Sequence, residues 1–438
     1  MNSHLNRSFQ WLVSQINQIV LGNKKIFFHK IKKLFFMIFI FILIILFFPL
    51  FIIIRILSKF YLVRFGILPS RRIGHFANDV NVYLRLKKKN IFELDLFYLE
   101  KPVCNYALSD IYKRYLNIYP EFIILPFIIL NKIIYLRNSK HEIKINPFVE
   151  SADLRDRDKE EKKINYFSEK QLENGYNFLE KIGINKGKKF ACLLVRDPAY
   201  VKSLFNDTYD LKYQKSGDDS NYRYSNPNNF KLASEFLISK GYYVIRMGKT
   251  VSDSININDD KFIDYAKSDY KNDFLDIFLA SQCNLFLSTG AGLDVIAAIF
   301  DKPIIFVGNT QVAWTRSANK KQLTIFKHFK NSITGSYLSI NDIFSYNLAL
   351  CENDKSFEDK NIELIENSPE EIKDAVIDML NLIENNFELN IENKSIHQNF
   401  WKLFKKNIDK FNCSHIHANF FKSHIGYNFL KKNNYFIN

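Results

Sequence analysis

Glycine, proline and cysteine are all scarce in this chain of 438 residues. The 14 glycines and 10 prolines are too few for a collagen-like protein or for a disordered chain rich in these residues. The five cysteines are scattered, with no CxxC spacing: Cys104, Cys192, Cys283, Cys351 and Cys413. An odd and dispersed set of this kind predicts reduced thiols, and therefore a soluble part that faces the cytoplasm.

Acidic residues are absent from the first 72 positions, which hold eleven lysines and arginines. The remainder of the chain is nearly balanced, with 50 basic and 46 acidic residues, although the formal net charge of the whole is +15. A nucleic-acid surface needs a basic cluster on a folded domain, whereas this excess flanks an apolar segment. The pattern predicts membrane lipid as a partner and no nucleic acid.

The apolar segment covers residues 34–54 and carries no charge over 21 residues. This length is sufficient to cross a bilayer as a helix, and a late start without a small-residue cleavage site argues against a signal peptide. Lysines and arginines flank both ends, so the positive-inside rule selects no orientation. Pro49 allows a second arrangement, a re-entrant or interfacial anchor with both flanks in the cytoplasm.

Periodicity after the anchor predicts a helix from about residue 77, a strand at 93–99 and a helix at 105–116. The apolar stretch 122–136, broken by Pro126, predicts a helix that lies at the membrane interface or covers the first domain. The predicted divisions are a basic segment (1–33), the anchor (34–54), an N-terminal domain (70–150), a charged connection (151–187), a second α/β domain (188–390) and a basic helical segment (391–438).

The second half of the chain alternates short apolar strands with segments of helical length. Strands without polar alternation, joined in this way, predict a parallel sheet covered by helices on both faces, and hence a doubly wound α/β domain. The predicted strands are 190–195, 242–247, 284–289 and 303–308, and the predicted helices are 228–240, 273–283, 291–300 and 369–382.

Polar clusters follow each of the four predicted strands. In open α/β sheets ligands bind outside the carboxyl ends of the strands, so these clusters converge on one candidate site. They comprise Arg196 and Asp197; Arg246, Gly248 and Lys249; Ser288, Thr289, Gly290, Ala291 and Gly292; and Asn309 and Thr310.

The turn at residues 288–292, with the sequence STGAG, has two interpretations. Free backbone N–H groups at a glycine-rich helix start suit a diphosphate, but the sequence matches neither GxGxxG nor GxxxxGK[ST] and is also typical of a tight bend. Arg196 and Arg246 favour the diphosphate, because an arginine at a strand end holds phosphate with two hydrogen bonds. The implied ligand is a nucleotide or nucleotide-sugar.

The ordered motifs resemble an uncharacterised bacterial family of GT-B-type glycosyltransferases. The resemblance rests on RIGHFANDVNVYL, FACLLVRDPAYVKS, YYVIRMG and NLFLSTGAGLDVIAAIF, and it extends over about residues 70–435. The VRD segment is also similar to the arginine motif with which fucosyltransferase-like enzymes hold the donor diphosphate. The family implies two Rossmann-like domains facing a cleft, a nucleotide-sugar donor in the second domain and an acceptor at the first.

The resemblance also implies site residues. Arg196, Arg246, Gly248 and the turn at 288–292 fall on the donor side by motif position. Gly74, His75 and Asn78 of RIGHFAN fall on the facing loop of the first domain, and Tyr222 and Arg223, from a YRxSN pattern that keeps Asn226, are taken as acceptor-side residues.

Transfer of a sugar needs a base for the acceptor hydroxyl, and His75 is the first candidate because its ordinary pKa lies near neutrality. Asp197 is the second, and a purely structural, hydrogen-bonded His75 is the open alternative. The donor half has no DxD motif, and His415, His417 and His424 lack partners at metal-ligand spacing, so we expect no metal and no other cofactor.

The sequence therefore predicts an α/β protein of GT-B type with an N-terminal membrane-anchoring helix. Its expected function is transfer of a sugar from a nucleotide-sugar to a cell-surface polysaccharide or lipid-linked acceptor, at the bacterial inner membrane and facing the cytoplasm. The alternative is a non-catalytic, membrane-tethered protein that binds a nucleotide or glycan during polysaccharide assembly, because a fold alone does not fix function.

Overall fold

A computed structural model describes residues 24–87, 90–135, 139–145, 164–200, 221–411 and 421–438. The chain divides into two compact units. The first unit comprises Met1–Leu68, Lys88–Glu100 and Leu116–Lys144, and the second comprises Pro69–Lys87, Lys101–Tyr115 and Ile145–Asn438. Two stretches of the predicted N-terminal domain, 69–87 and 101–115, thus group with the second unit. The charged core of the predicted connection, 151–163, lies outside the described residues, as do Cys413, His415 and His417.

Helices and strands alternate along most of the described chain. The helices are α1 Lys24–Leu57, α2 Ile73–Leu86, α3 Tyr106–Lys113, α4 Glu121–Tyr135, α5 Glu169–Lys181, α6 Lys231–Ser239, α7 Asp273–Gln282, α8 Asp294–Ile299, α9 Ile340–Ser345, α10 Asp354–Glu358, α11 Pro369–Glu384, α12 Ile391–Lys410 and α13 Tyr427–Lys432. The strands are β1 Leu62–Leu68, β2 Glu93–Leu99, β3 Asn117–Ile118, β4 Glu142–Ile143, β5 Lys189–Leu194, β6 Tyr242–Arg246, β7 Phe262–Ile263, β8 Leu285–Ser288, β9 Ile304–Asn309, β10 Gln322–Phe326, β11 His328–Asn331, β12 Ile362–Ile365 and β13 His424–Ile425.

The first unit is built on a four-stranded parallel sheet in the order β3-β2-β1-β4. Its core is aromatic: the Phe65 ring of β1 stacks on Phe127 of α4, with centroids 4.7 Å apart, and Phe127 stacks on Phe47 of α1 at 5.5 Å. Helix α4 therefore covers the sheet and is itself covered by α1. Of the two positions predicted for the stretch 122–136, the structure shows the one over the first domain.

Helix α1 is long and apolar enough to cross a membrane. The most apolar 18-residue window within Phe27–Leu57 has a mean hydropathy of 3.4, and only 11% of that window is buried. The helix continues through Pro49, which speaks against a re-entrant bend at that residue. An apolar N-terminal helix preceding the α/β part, as predicted, is thus present.

The second unit contains a seven-stranded sheet in the order β13-β10-β9-β8-β5-β6-β7, with every pair parallel. All four predicted strands are found, and each of their ends lies within one residue of the predicted position. Strands β7, β10 and β13 were not predicted. Strands β5 and β8 are almost entirely buried, because helices cover both faces. The predicted α/β class with parallel sheets is confirmed.

The basic C-terminal segment belongs to the second unit. Phe400, Trp401 and Phe404 of α12 are buried in its hydrophobic core, and β13 extends the sheet beside β10. His424 is in this strand and is only 5% exposed. Burial of these aromatic residues explains why α12 is helical although it is rich in lysine, since only one of its faces is solvated.

Candidate functional site

The strand order of the second sheet changes direction between β5 and β8. From β5 the chain proceeds outward to β6 and β7 on one side, and from β8 it proceeds to β9 and β10 on the other. Such a switch point opens a crevice at the carboxyl edge where ligands bind. Leu194 of β5 pairs with Ser288 of β8 and Leu193 pairs with Arg246 of β6, so the predicted site residues that follow these strands share this edge.

A cavity of about 450 Å³ lies at this edge. The Thr289 hydroxyl accepts a hydrogen bond of 2.8 Å from the backbone N–H of Arg196 and thereby joins the two strand ends across the switch point. The cavity is lined by Val195, Arg196, Asp197, Pro198, Tyr224, Ser225, Asn226, Pro227, Asn228, Arg246, Asp253 and Glu366.

Arg196 supplies the first guanidinium group of this site. No aspartate or glutamate of the described residues forms an ion pair with it, and its Nε atom is buried without a hydrogen-bond partner. Burial first, and then the charge of Arg223, lower the pKa of the guanidinium to about 10. Its main favourable neighbour is the Tyr224 ring, 5.8 Å from the guanidinium carbon. A group this poorly compensated is suited to an external anion.

Arg223 supplies a second guanidinium at the same place. Its Nη2 donates a 2.8 Å hydrogen bond to the Gly290 carbonyl, so the side chain lies against the turn after β8. The structure therefore sets beside the predicted donor turn a residue that the motif comparison assigned to the acceptor. Within the described part of the chain no carboxylate forms an ion pair with Arg223 either.

Arg246 differs from these two arginines because its charge is compensated. Its side chain lines the cavity and is almost fully buried, and its Nη1 lies 3.1 Å from Oδ2 of Asp264. A buried arginine needs such a partner. Arg246 thus has a structural reason to be present, in addition to any contact with a ligand.

The turn at residues 288–292 uses its own amides. Oδ2 of Asp294 accepts hydrogen bonds from the Ser288 hydroxyl at 2.7 Å and from the Ala291 N–H at 2.9 Å, while Ser288 Oγ accepts from the Gly290 N–H at 3.0 Å. Asp294 therefore supports the turn from the first turn of α8. Because the amides of Gly290 and Ala291 are occupied in this structure, the cationic character of the site comes from arginine side chains and not from these N–H groups.

Gly292 and Gly74 make a close backbone approach within the second unit. A Cβ atom on Gly74 would lie 3.2 Å from the Gly292 Cα, and Gly292 has a φ of +68° that favours glycine. The start of α2 therefore lies against the turn. Burial and the charge of Arg223 lower the pKa of Arg196 most, and the charge of Arg72, which precedes α2, lowers it further.

His75, next to Gly74, is oriented by a carboxylate. Its Nδ1 lies 3.1 Å from Oδ2 of Asp79, one helical turn along α2. The His75 side chain is 38% exposed, whereas that of Asp79 is fully buried. Asn78, also predicted, is buried and donates a 3.4 Å hydrogen bond to the other oxygen of Asp79. Sequence reasoning did not find Asp79, although the i, i+4 spacing of histidine and aspartate signals such a pair.

Asp197 is held in a structural network. Its carboxylate accepts hydrogen bonds from the backbone N–H of Ala199 and of Ser252, each 2.7 Å long, and from the Ser252 hydroxyl. Nine-tenths of this residue is buried. These bonds fix the loop that carries Arg196, which makes His75 the better placed of the two candidate bases.

Two further predicted residues have structural environments. Tyr222 is buried against Phe357, with ring centroids 5.8 Å apart, and its N–H donates to Asp354. Gly248 has a φ of +153°, and a Cβ atom there would lie 2.7 Å from the Val251 side chain. Both residues shape the loops around the edge.

Lys327 is a cation near the cavity that the sequence did not reveal. It is only 3% exposed, and its Nζ donates a 2.6 Å hydrogen bond to the Tyr224 carbonyl. Burial lowers the pKa of its ammonium group. This hydrogen bond holds the loop that carries Tyr224, whose ring lies beside the Arg196 guanidinium.

A larger depression of about 610 Å³ lies at the amino ends of β6 and β7 and is lined by residues such as Tyr243 and Lys261. This is the edge of the sheet opposite to the switch-point crevice, so we assign it no part in the site. In the described part of the chain no group of three or more His, Cys, Asp or Glu side chains has metal-binding geometry.

No protein-family model and no curated protein matches the chain. Among solved structures, the chain is similar to Escherichia coli ADP-heptose lipopolysaccharide heptosyltransferase II, with 10% identity and a TM-score of 0.36 over 60% of this chain and 90% of that one. It is also similar to a glycosyl transferase of family 9 from Veillonella parvula, with 8% identity and a TM-score of 0.37 over 61% of this chain and 87% of that one. Since these values are low, we argue function from this chain's own residues.

Proposed function

We propose that this protein is a membrane-associated glycosyltransferase that moves a sugar from a nucleotide-sugar donor to a glycan or lipid-linked acceptor. The observation that carries the proposal is the pair Arg196 and Arg223. These two guanidinium groups form no ion pair with an acidic residue in the part of the chain that the structure describes. They lie at the switch point of a parallel sheet, beside a cavity of about 450 Å³. An anion with several oxygens is the ligand that relieves their mutual repulsion.

A nucleoside diphosphate bound to these arginines gives them a catalytic purpose. When the bond between the sugar C1 and the diphosphate oxygen breaks, the electron pair remains on the leaving group and its negative charge increases. Fixed cations next to that oxygen stabilise the transition state more than the ground state. We propose that residues 188–390 hold the donor and that the arginines take the place of a metal in neutralising the leaving group.

The acceptor completes the reaction by forming a new bond from its hydroxyl oxygen to C1. We propose that the imidazole of His75 takes the hydroxyl proton on the ring nitrogen that faces away from Asp79. The Nδ1 contact with Asp79 fixes the tautomer and stabilises the imidazolium that results. The close approach of Gly74 to Gly292 supports this role, because it brings the start of α2 to the donor turn.

The helix α1 supports an acceptor that is itself held in a membrane. A lipid-linked glycan diffuses in the bilayer, so an anchored enzyme meets it at high effective concentration. We accordingly propose that the protein works at the cytoplasmic face of the bacterial inner membrane during assembly of a cell-surface polysaccharide. The basic flanks of α1 favour the cytoplasmic leaflet, where anionic lipids lie.

Transfer of label from a panel of radioactive nucleotide-sugars into a bacterial lipid extract tests the proposal. We expect one donor to give a labelled product that partitions into organic solvent, in amounts that EDTA does not reduce. The matched variants are Arg196→Ala, which should abolish transfer, and Lys240→Ala, an exposed cation at the amino side of β6, which should leave it unchanged.

The same assay separates an enzyme from a binder. If a nucleoside diphosphate binds but neither transfer nor slow hydrolysis of any donor sugar is detected, the non-catalytic alternative is correct. If no nucleotide binds to the folded protein, the transferase and a nucleotide-binding protein are both excluded, and only the glycan-binding alternative is left.

A further inference from the structure

One face of α1 is packed against its own unit. Five apolar side chains spaced by three or four residues form this inward stripe, and the last four of them pack in the hydrophobic core formed with α4 and β1. Ile40 and Phe51 are only 4% and 1% exposed. The stripe consists of Ile40, Ile44, Phe47, Phe51 and Ile54.

Polar contacts fix the same face at its carboxyl end. The Arg55 guanidinium donates to Asn131 of α4 and, at 3.0 Å, to the Ser139 hydroxyl. At the other end the Phe39 and Phe122 rings lie 6.1 Å apart. Helix α4 therefore packs alongside α1 from Phe39 to Arg55. This stretch is most of the segment that would have to cross a bilayer.

The opposite face of α1 is exposed and entirely apolar. The outward stripe comprises Phe35, Ile38, Ile42, Ile45, Ile53 and Ile56, which are between 49% and 68% exposed. It extends over 22 residues, or about 32 Å between its two ends at the rise of an α-helix. A continuous apolar strip of this length on one side of a folded unit is typical of a surface that contacts lipid.

A spanning α1 is difficult to reconcile with this packing. Between Lys33 and the first contact at Phe39 lie only residues 34–38, about 8 Å of helix, whereas the hydrocarbon core is about 30 Å thick. The rest of the apolar segment could cross only if α4 and the edge of the sheet entered the bilayer with it. Glu121, which precedes Phe122 at the start of α4, and the backbone around it would then lie in hydrocarbon, which is strongly unfavourable.

We propose that α1 lies in the plane of the membrane surface, with the outward stripe in the acyl region of an anionic leaflet and the first unit on the aqueous side. Charge complementarity supports this partner, since Lys24, Lys32 and Lys33 at one end and Lys59 at the other are exposed. Phe60 is 78% exposed directly after the helix, at the level where aromatic side chains meet headgroups. Both basic flanks then lie on the same side of the membrane, which resolves the orientation that the charge pattern left open.

This inference rests on the proposed membrane association and is independent of sugar transfer. Flotation of the full chain with vesicles of phosphatidylglycerol and phosphatidylethanolamine tests the association. We expect the wild type to float and the double variant Ile42→Glu and Ile45→Glu to lose flotation. Ile333→Glu should retain it, because Ile333 is even more exposed but lies in the second unit. A wild type that remains in solution overturns the membrane contact, whatever its transferase activity.

Depth measurements distinguish the in-plane helix from a spanning one. Tryptophan is placed singly at Phe35, Ile45 and Ile56 of the outward stripe, and quenching by lipids brominated at shallow and deep positions is compared with the wild type, which has three tryptophans. An in-plane helix predicts the same depth at all three positions. A deep Ile45→Trp between shallow Phe35→Trp and Ile56→Trp overturns the proposal and leaves a spanning anchor.

Epitope tags at the two chain ends give an independent readout in sealed inverted vesicles of the inner membrane. Both tags should be removed by added protease, because both ends lie on the cytoplasmic side. Protection of the N-terminal tag alone contradicts the in-plane arrangement while leaving the transferase proposal intact.

Discussion

The Thr289 hydroxyl accepts a 2.8 Å hydrogen bond from the backbone N–H of Arg196. This one bond joins the ends of β5 and β8 across the switch point, so the direction of the Arg196 side chain depends on a residue from another strand. Thr289 is 9% exposed, and the bond is therefore shielded from water. A side chain that binds an anion has to be held in position by bonds of this kind to its backbone.

Removal of the Thr289 hydroxyl is expected to weaken the binding of a nucleoside diphosphate. Thr289→Val keeps the shape but leaves the Arg196 N–H without its acceptor, which costs about 1 kcal/mol or somewhat more. Calorimetric titration should show affinity reduced several-fold, and Thr289→Ser, which keeps the hydroxyl, should bind like the wild type. Wild-type affinity in Thr289→Val would contradict this role of the hydrogen bond.

His75 and Asp79 are expected to affect turnover and not donor affinity. His75→Gln removes the proposed base and should lower kcat roughly a hundredfold or more, with KM for the donor little changed. Asp79→Asn keeps the size of the buried side chain but weakens the contact with His75. We therefore expect kcat to fall less than in His75→Gln, and the pH dependence of kcat to shift. If both variants alter only the stability of the protein and leave kcat intact, His75 is a structural histidine.

Asp294 is expected to stabilise the turn at residues 288–292. Asp294→Ala leaves the Ser288 hydroxyl and the Ala291 N–H without their shared acceptor, and each unsatisfied buried donor costs about 1 to 3 kcal/mol. Both donors bond to Oδ2, so Asp294→Asn can keep them with its carbonyl oxygen. Urea unfolding should give a clear loss for the alanine variant and a much smaller one for the asparagine variant; similar midpoints for wild type and Asp294→Ala would contradict this assignment.

The stability of the second unit is expected to fall as the pH rises between about 4 and 6 because of Asp276. Burial, first of all, raises the pKa of this carboxyl to about 6, and it accepts a 3.0 Å hydrogen bond from the Tyr265 hydroxyl. A carboxyl with a raised pKa binds its proton more tightly in the folded state. Its contribution to the free energy of unfolding is therefore greatest below the unfolded pKa near 4. Between pH 4 and 6 this contribution falls by at most about 3 kcal/mol.

Asp276→Asn should remove that part of the pH dependence while its carbonyl oxygen still accepts from Tyr265. Asp269→Asn, at an exposed position nearby, is the matched control and should keep the slope of the wild type. Thermal unfolding between pH 4 and 7 supplies the measurement. Parallel curves for wild type and Asp276→Asn would rule out this carboxyl as the source.

Local patterns predicted the strands of the second sheet well because buried parallel strands are continuous apolar runs. Strand β7 has only two residues, Phe262 and Ile263, and β13 consists of His424 and Ile425, so neither carries enough pattern to be recognised. Their pairing with β6 and β10 arises from tertiary contacts. Short edge strands of this kind are decided by the neighbouring strand and not by their own residues.

The residues of the candidate site, like the strands, could be predicted only in part from the sequence. Arg196 directly follows a strand and was predicted to be on the donor side from that position. Arg223 lies in a short 3₁₀ segment, distant in sequence from the turn at residues 288–292, and its contact with that turn is the hydrogen bond to the Gly290 carbonyl. The sequence also suggested free amides at Gly290 and Ala291. Asp294 and Ser288 occupy them, and a choice between internal and external acceptors depends on distances that sequence spacing does not contain.

The central claim is that Arg196 and Arg223 together bind the diphosphate of a nucleotide-sugar. Isothermal titration of the full-length protein in detergent, with a panel of nucleoside diphosphates, tests it most directly. We predict that at least one of them binds, that Arg196→Ala and Arg223→Ala each weaken it roughly 10- to 100-fold, as expected for a lost hydrogen bond to a charged group, and that Lys240→Ala binds like the wild type. Unchanged affinity in both arginine variants, with the protein folded, would contradict the claim.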